Sequence, residues 1–471
     1  MKIYVIKKGD SLHHIAHTFG VSILQIVSAN QINEPNKLVI GEAIVIPSPG
    51  REYIIQPGDN LWAIAQKYGT SVQAIASVNQ ISDPTNISIG QLIFIPVSYH
   101  TVQSGETLWT IAQKYGVNTS TLTEINQLTT PSMIYIGQVL RIPDIPRPIK
   151  EVNTYITNIE EKGVQEVHQL GRYLTYLSPF TYTFKEDGTL TEINDTPIIN
   201  TSYSEHIAPL VTITNFVNQD FNSDLAATLL RNSSVQNNFI NNLLVTMQEK
   251  GYIGVNFDFE YIYPEDRENY NTFLRLVVSA LHSKGFYVST ALAPKISSDQ
   301  KGLLYEAHDY EAQGRIVDFV ILMTYEWGWA GGKPLAIAPI NEVKRVLDYA
   351  VQVIPRSKIL MGAPLYGRDW KIPWKQGTLA KTISPQQAIR LALQYGANIE
   401  FHPTYQAPFF RYTDSKGQQH EVWFEDARSA QAKFDVVKSY RLRGISYWVL
   451  GIPFPQNWLI QENNFKAQKL V

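Results

Sequence analysis

Residues 254–261, GVNFDFEY, alternate apolar Val255, Phe257 and Phe259 with polar Asn256, Asp258 and Glu260. Successive side chains of a strand point to opposite faces, so this strand presents one apolar face and one face carrying an amide and two carboxyls. Apolar runs of strand length recur along the last two-thirds of the chain: VNTYIT, YLTYLSPF, LVTITNF, IGVNFDFEY, FYVSTALAP, VDFVILMTY, ILMGAPLYG and GISYWVL. Amphipathic helical stretches separate them. Eight parallel-type strands with helices between predict an α/β fold, a (β/α)8 TIM barrel. The last two runs are far apart, and residues 370–440 between them hold a further helix and a hairpin-like stretch, FFRYTDSKGQQHEVWF. A small α+β insertion is expected there.

The first third follows a different rhythm. YVIKKGDSLHHIAHTFGVSILQIVSANQI, YIIQPGDNLWAIAQKYGTSVQAIASVNQI and HTVQSGETLWTIAQKYGVNTSTLTEINQL are three versions of one unit, closed by IGEAIVIP, IGQLIFIP and IGQVLRIP. Gly9, Gly58 and Gly105 recur 49 and 47 residues apart, the period of an array of modules. Each unit reads strand, helix, helix, strand. A β-branched run meets a Gly-Asp or Gly-Glu turn, and Ser11, Asn60 or Thr107 then stands where it can cap the first helix. Leu61, Ile64, Ala65 and Tyr68 keep helical spacing, and a second short helix is expected to end near Asn30, Asn79 and Asn126. The modules are placed at residues 2–48, 52–97 and 99–144. PDIPRPIK, residues 143–150, reads as a semi-rigid spacer, and residues 151–471 as one larger unit.

Composition narrows the chemistry. A chain of 471 residues, 44% apolar and 17% charged, suits two or more globular units. The net charge of −2 and the lack of a basic run argue against a nucleic-acid partner, whereas a sugar polymer, held by aromatic faces and hydrogen bonds, stays open. With no cysteine there is neither a disulfide nor a thiolate nucleophile. The ten histidines show no HExxH-like spacing, so no metal and no cofactor are expected. MKIYVIKKGDSLHHIA has no apolar core of secretory-signal type, and no apolar stretch reaches the roughly 20 residues of a membrane span.

In the expected barrel Val255, Phe257 and Phe259 face the helices. Asn256, Asp258 and Glu260 then point inward near the strand's C-terminal end, where barrel enzymes carry their sites. A buried ion-pair network would also gather carboxyls, but inward acids without a task cost desolvation for no evident return. Two carboxyls on one face of one strand lie on the same side of a bound sugar, which does not suit a nucleophile and an acid flanking the anomeric carbon. One acid with a neighbouring orienter fits better, the nucleophile coming from the substrate.

Two family resemblances follow from these motifs. The three repeats resemble the LysM domain, which binds glycans containing N-acetylglucosamine in a shallow groove. The resemblance implies groove residues Gly9, Asp10, Ser11, Leu12 and Ile32 in copy one. It implies Gly58, Asp59, Asn60, Leu61 and Ile81 in copy two, and Gly105, Glu106, Thr107, Leu108 and Leu128 in copy three. His13 stands in copy one where the others have Trp62 and Trp109.

IGVNFDFE is similar to the Asp-Gly-x-Asp-x-Asp-x-Glu motif of glycoside hydrolase family 18. That resemblance implies Glu260 as general acid/base, and Asp258 as the residue holding the substrate's 2-acetamido N–H. MTYE puts Tyr325 on the acetamido carbonyl, PLYGR brings Tyr366 and Arg368 to the cleft, and SYWVLG places Trp448 under the sugar. Asn256 and Glu326 stand where chitinases carry aspartates, and both are expected to contact substrate. The whole chain, with LMTYEWGW, GISYWVLG and PFPQNW, resembles the spore cortex-lytic enzymes of the SleL/YaaH type. This implies a retaining, substrate-assisted N-acetylglucosaminidase acting on peptidoglycan during germination. It implies a place at the spore coat or cortex, reached without a signal peptide; a monomer with no membrane association is expected. A chitinase and a catalytically silent glycan-binding envelope protein are the alternatives.

Overall fold

The computed structural model describes residues 1–471 except 20, 48–49, 69, 71, 73–74, 77–78, 80, 82, 97–98, 116, 131–132 and 143–146. Part of copy two's second helix and the first half of the proline-rich spacer therefore lie outside the described residues. The chain forms two compact units: Met1–Lys2, Ser11–Asn33 and Ile46–Pro148 make one, and Ile3–Asp10, Glu34–Val45 and Ile149–Val471 the other.

The repeats fold as their pattern predicts. In copy two, Gly50–Ile54 pairs antiparallel with Leu92–Pro96, and in copy three Tyr99–Thr101 pairs with Val139–Arg141. Copy one has strands Lys2–Val5 and Ala43–Ile46. First helices run over Leu12–Phe19, Leu61–Tyr68 and Leu108–Tyr115. Each has a polar cap in place: the side chains of Ser11, Asn60 and Thr107 accept from the N–H of His14, Ala63 and Thr110 at 3.2, 2.8 and 3.1 Å. The helical spacing of Leu61, Ile64 and Ala65 becomes a small core with Ile75, Ile81, Ile93 and Ile95.

The eight apolar runs all become barrel strands: β1 (Ile149–Ile156), β2 (Tyr176–Pro179), β3 (Ala208–Thr214), β4 (Gly254–Asp258), β5 (Tyr287–Leu292), β6 (Phe319–Leu322), β7 (Ile359–Pro364) and β8 (Gly444–Leu450). Each pairs in parallel with the next, and β8 closes on β1. Phe257 and Phe259 of the β4 run meet Phe239, Tyr270 and Phe273 on the helices Ser233–Lys250 and Arg267–His282, as the alternation requires. Each such fully buried ring is worth about 1.5–3 kcal/mol. Inside, Tyr176, Leu210, Phe319 and Leu360 fill the barrel floor.

The insertion is a five-stranded antiparallel sheet in the order Lys381–Ile383, Gly367–Ile372, Gln419–Trp423, Ala407–Thr413, Glu400–His402, with helix Pro385–Tyr395 against it. Its first strand starts at Gly367, before the expected residue 370, because β7 turns straight into it. Helix Ala427–Ser439 packs on helix Pro455–Asn464 and belongs to the outer ring of the barrel, not to the insertion.

Candidate active site

The inward face of β4 carries three polar side chains at three depths. Asn256 is fully buried. Its carbonyl oxygen accepts from the Tyr155 hydroxyl at 2.7 Å, and its amide donates to Ser289 Oγ at 3.0 Å. An aspartate could accept from Tyr155 but could not donate to Ser289, so the amide is the chemistry this position uses. The expectation that Asn256 touches substrate is corrected: strand parity gives its face, but its place one layer below the cleft commits both ends of its amide to the protein.

Asp258, one step higher, is 4% exposed. Its Oδ1 is buried and finds no hydrogen-bond partner among the described residues. Burial pushes its carboxyl up to about 7. Glu260 lies just beyond the strand end and is partly exposed. Burial, then the neighbouring charges of Asp258 and Glu326, hold its carboxyl well above the ordinary carboxylate range. Both shifts favour the protonated acid over the carboxylate.

The peptide of Glu260 is clamped. Its N–H donates to Asn215 Oδ1 at 3.0 Å, and its carbonyl accepts from Asn215 Nδ2 at 2.9 Å. The preceding carbonyl, of Phe259, accepts from His308 Nε2 at 2.9 Å, while His308 Nδ1 accepts from the Ala293 N–H at 2.7 Å. Burial lowers the His308 imidazole to about 4, so it is neutral with its proton on Nε2. Asn215 thus joins the end of β3 to the acid, and His308 joins it to the end of β5. Neither is legible in the sequence as a site residue, nor are Tyr155 and Ser289. The sequence signal for Asn215 is an amide one residue from the end of the run LVTITNF; an isolated histidine carries none.

Tyr325 follows β6, and its ring lies over Gly362, where a Cβ would come within 2.8 Å of it. Burial raises its hydroxyl pKa well above that of a free phenol, and the charges of Asp258, Glu260 and Glu326 raise it further. Tyr325 therefore stays a neutral donor beside the acids. Glu326 has φ +69° and receives hydrogen bonds from the Tyr366 hydroxyl and, at 2.6 Å, from Arg368 Nη2. Arg368, on the first strand of the insertion, also donates to Thr382 Oγ1 at 2.7 Å. Trp448, near the end of β8, packs against Tyr155 and Phe180 with ring centroids 5.4 and 5.0 Å away. Asp258, Glu260, Tyr325, Glu326, Tyr366, Arg368 and Trp448 thus all stand at the C-terminal end of the barrel strands.

In the repeats the expected groove residues divide. Gly9, Gly58 and Gly105 have φ of +90°, +87° and +81° and make the turn possible. Asp10 accepts from the Tyr4 hydroxyl and the Lys7 N–H, and Asp59 from Tyr53 and Gln56; Glu106 accepts from the Gln103 N–H and contacts His100 Nε2. These acids hold the turn. Leu12, Leu61, Leu108 and Ile81 are core residues, while Ile32 and Leu128 are half-buried. A surface hollow of about 460 Å³ in copy two is lined by Asp59, Asn60, Leu61, Trp62, Val72, Pro84, Thr85 and Ile87. Ile87, not the expected Ile81, forms its far wall, because Ile81 closes the core beneath. Trp62 and Trp109 are 66% and 63% exposed, and His13 is exposed at the same place.

Residues 154–451 match the family described as glycosyl hydrolases family 18, and residues 4–47, 53–96 and 100–143 each match the LysM domain. The cortical fragment-lytic enzyme of Bacillus subtilis (strain 168) is 46% identical over 100% of this chain and 99% of its own length. The Bacillus cereus enzyme of the same description is 50% identical over 66% of this chain and 73% of its own. The crystal structure of the Bacillus megaterium QM B1551 spore cortex-lytic enzyme SleL superposes with a TM-score of 0.81 at 38% identity, covering 100% of this chain and 99% of the other.

Proposed function

The chain belongs to glycosyl hydrolases family 18, with three LysM domains ahead of the barrel, and from that premise we propose that it is a retaining N-acetylglucosaminidase acting on spore cortex peptidoglycan fragments during germination. The observation that carries the reading is the buried oxygen of Asp258, without a hydrogen-bond partner among the described residues, next to Glu260, whose carboxyl is held above its ordinary range by burial and by the charges of Asp258 and Glu326. An unpaired buried acceptor is costly, and a substrate N–H would satisfy it. Asp258 then holds the 2-acetamido N–H and Tyr325 donates to the acetamido carbonyl, so that this carbonyl oxygen bonds to the anomeric carbon. The glycosidic C–O bond breaks as Glu260 gives its proton to the leaving oxygen. Water next attacks the oxazolinium, returning a proton to Glu260 and leaving the anomeric configuration unchanged. Trp448 forms the apolar floor of this site, and Glu326, Tyr366 and Arg368 form its polar wall. Localisation to the spore and a monomeric state belong to the same proposal.

Mass spectrometry of products from purified cortex fragments tests it. The new reducing end is expected on N-acetylglucosamine. A new end on the muramic sugar, or faster turnover of chitin oligomers than of cortex fragments, would overturn it.

The LysM domains are proposed to retain the enzyme on insoluble cortex. Weak linked sites gain roughly 10²–10⁴ in avidity when they engage together. An exposed indole offers a sugar its apolar face, which an imidazole does less well. Replacing both Trp62 and Trp109 by Ala is therefore expected to release most of the protein from sedimented cortex while turnover of soluble fragments stays within twofold of the parent. His13→Ala should have little effect on sedimentation. Full retention of the double variant would remove the tryptophans from the anchor.

A further inference from the structure

The first repeat differs from its sisters where all three should be alike. Val39, Gly41, Glu42 and Ala43 occupy the places of Ser88, Gly90, Gln91 and Leu92 in copy two, and of Tyr135, Gly137, Gln138 and Val139 in copy three. At the places of Val39 and Ala43, copies two and three are open to solvent: Ser88 is exposed and Leu92 40% exposed, and Tyr135 and Val139 are 64% and 59% exposed. In copy one Val39, Glu42 and Ala43 are buried.

Within the second compact unit, Val39 is a member of the core of the insertion, with Ile383, Ala388, Ile399, Phe410 and Val422. The Ile399 N–H donates to the Ile40 carbonyl at 2.8 Å, and Arg428 Nη2 donates to the Gly41 carbonyl at 3.1 Å. The approach is close enough that a Cβ on Gly41 would lie 1.8 Å from the Ile399 carbonyl oxygen. Gly90 and Gly137 have nearly the same φ, +84° and +83° against +87°, and a Cβ there would meet nothing within 4 Å.

We infer that the segment Glu34–Val45 of the first repeat is an interaction surface for the insertion, a built-in bracket of the catalytic unit and not part of a free anchor. The exchange of Ser or Tyr for Val39, and of Leu or Val for Ala43, suits a dry, closely approached interface better than a wet surface. The bracket bears on the cleft through short steps. Val39 packs in one core with Ile383; the adjacent Thr382 holds Arg368; Arg368 holds Glu326. The segment therefore supports the polar wall of the site.

Three substitutions in the full-length chain, Gly41→Ala, Gly90→Ala and Gly137→Ala, test the bracket against its own controls. All three impose the same left-handed backbone strain, and only the first adds a collision. Hydrogen–deuterium exchange is expected to show at least about tenfold faster exchange at Ile399 and in the segment 381–395 for Gly41→Ala, with no change there for the other two. Val39→Ser, which installs the residue of copy two, should give the same pattern more mildly and serves if Gly41→Ala does not fold. Hydrolysis of soluble cortex fragments should fall at least about threefold in kcat/KM for the two copy-one variants alone. Equal exchange at Ile399 in Val39→Ser, Gly90→Ala and the parent would overturn the inference. The activity arm rests on the proposed function, but the exchange arm does not, so a parent inactive on cortex fragments would count against that function and leave the bracket standing on exchange.

Discussion

Glu260→Gln is expected to lose turnover by at least the ~10²–10⁴-fold that general acid catalysis supplies, while glycan affinity changes little. The amide fills nearly the same volume and cannot give a proton to a leaving oxygen. Its backbone clamp, made by Asn215 and His308 to peptide groups, does not depend on the side chain, so the fold around it should persist. Single-turnover rates on a soluble fragment, with affinity measured separately by calorimetry, separate the two effects. A variant within fivefold of the parent rate would remove Glu260 from the acid role. The pH profile carries the sign of the same argument. Glu260 must be protonated to act, so activity falls as pH rises through its raised pKa. Glu326→Gln removes one of the negative charges that raise it, and should move the alkaline limb to lower pH. Movement upward would contradict the assignment.

The sequence made some of this site legible and hid the rest for definite reasons. Period-two alternation over Val255–Glu260 decides which side chains face inward, and burial of Phe257 and Phe259 against the helices follows from it. Alternation carries no information about depth along the barrel axis. Parity therefore groups Asn256 with Asp258 and Glu260, although it lies beneath them, tied to Tyr155 and Ser289. Asn215 and His308 act on backbone atoms of residues 45 and 49 positions away, and a contact of that kind leaves no local spacing to read. The repeat period revealed three modules, yet similarity among them obscured the one whose edge is buried. Only Val39 and Ala43, in place of exposed residues of other sizes, mark it. In copy two, Ile81 and Ile87 both lie between the first helix and the final strand, and only packing tells the core residue from the wall.

Removing the N-acetyl group from the scissile N-acetylglucosamine should nearly stop hydrolysis, even where the sugar still binds. In the proposed mechanism that group is the nucleophile, and an intramolecular nucleophile has an effective molarity of about 10⁵–10⁸ M. Water, at roughly 55 M, would have to replace it directly, so a loss of roughly 10³-fold or more is expected. Asp258 and Glu260 extend from the same face of one strand run, and retaining enzymes with their own nucleophile bring carboxyls to opposite faces of the sugar. Asp258→Asn should act on the same step from the other side. Its amide retains one oxygen acceptor but loses the carboxylate charge that holds and polarises the acetamido N–H, and its NH₂ competes as a donor. The expected result is a kcat lowered by about 10²-fold or more with KM nearly unchanged, because orientation counts most in the transition state. Paired rates on N-acetylated and de-N-acetylated fragments, for the parent and for Asp258→Asn, make the comparison complete. If Asp258 and the acetamido group serve one step, the variant should discriminate less between the two substrates than the parent does. Equal discrimination would mean that Asp258 acts elsewhere, and brisk hydrolysis of the de-N-acetylated fragment by the parent would require a nucleophile supplied by the protein.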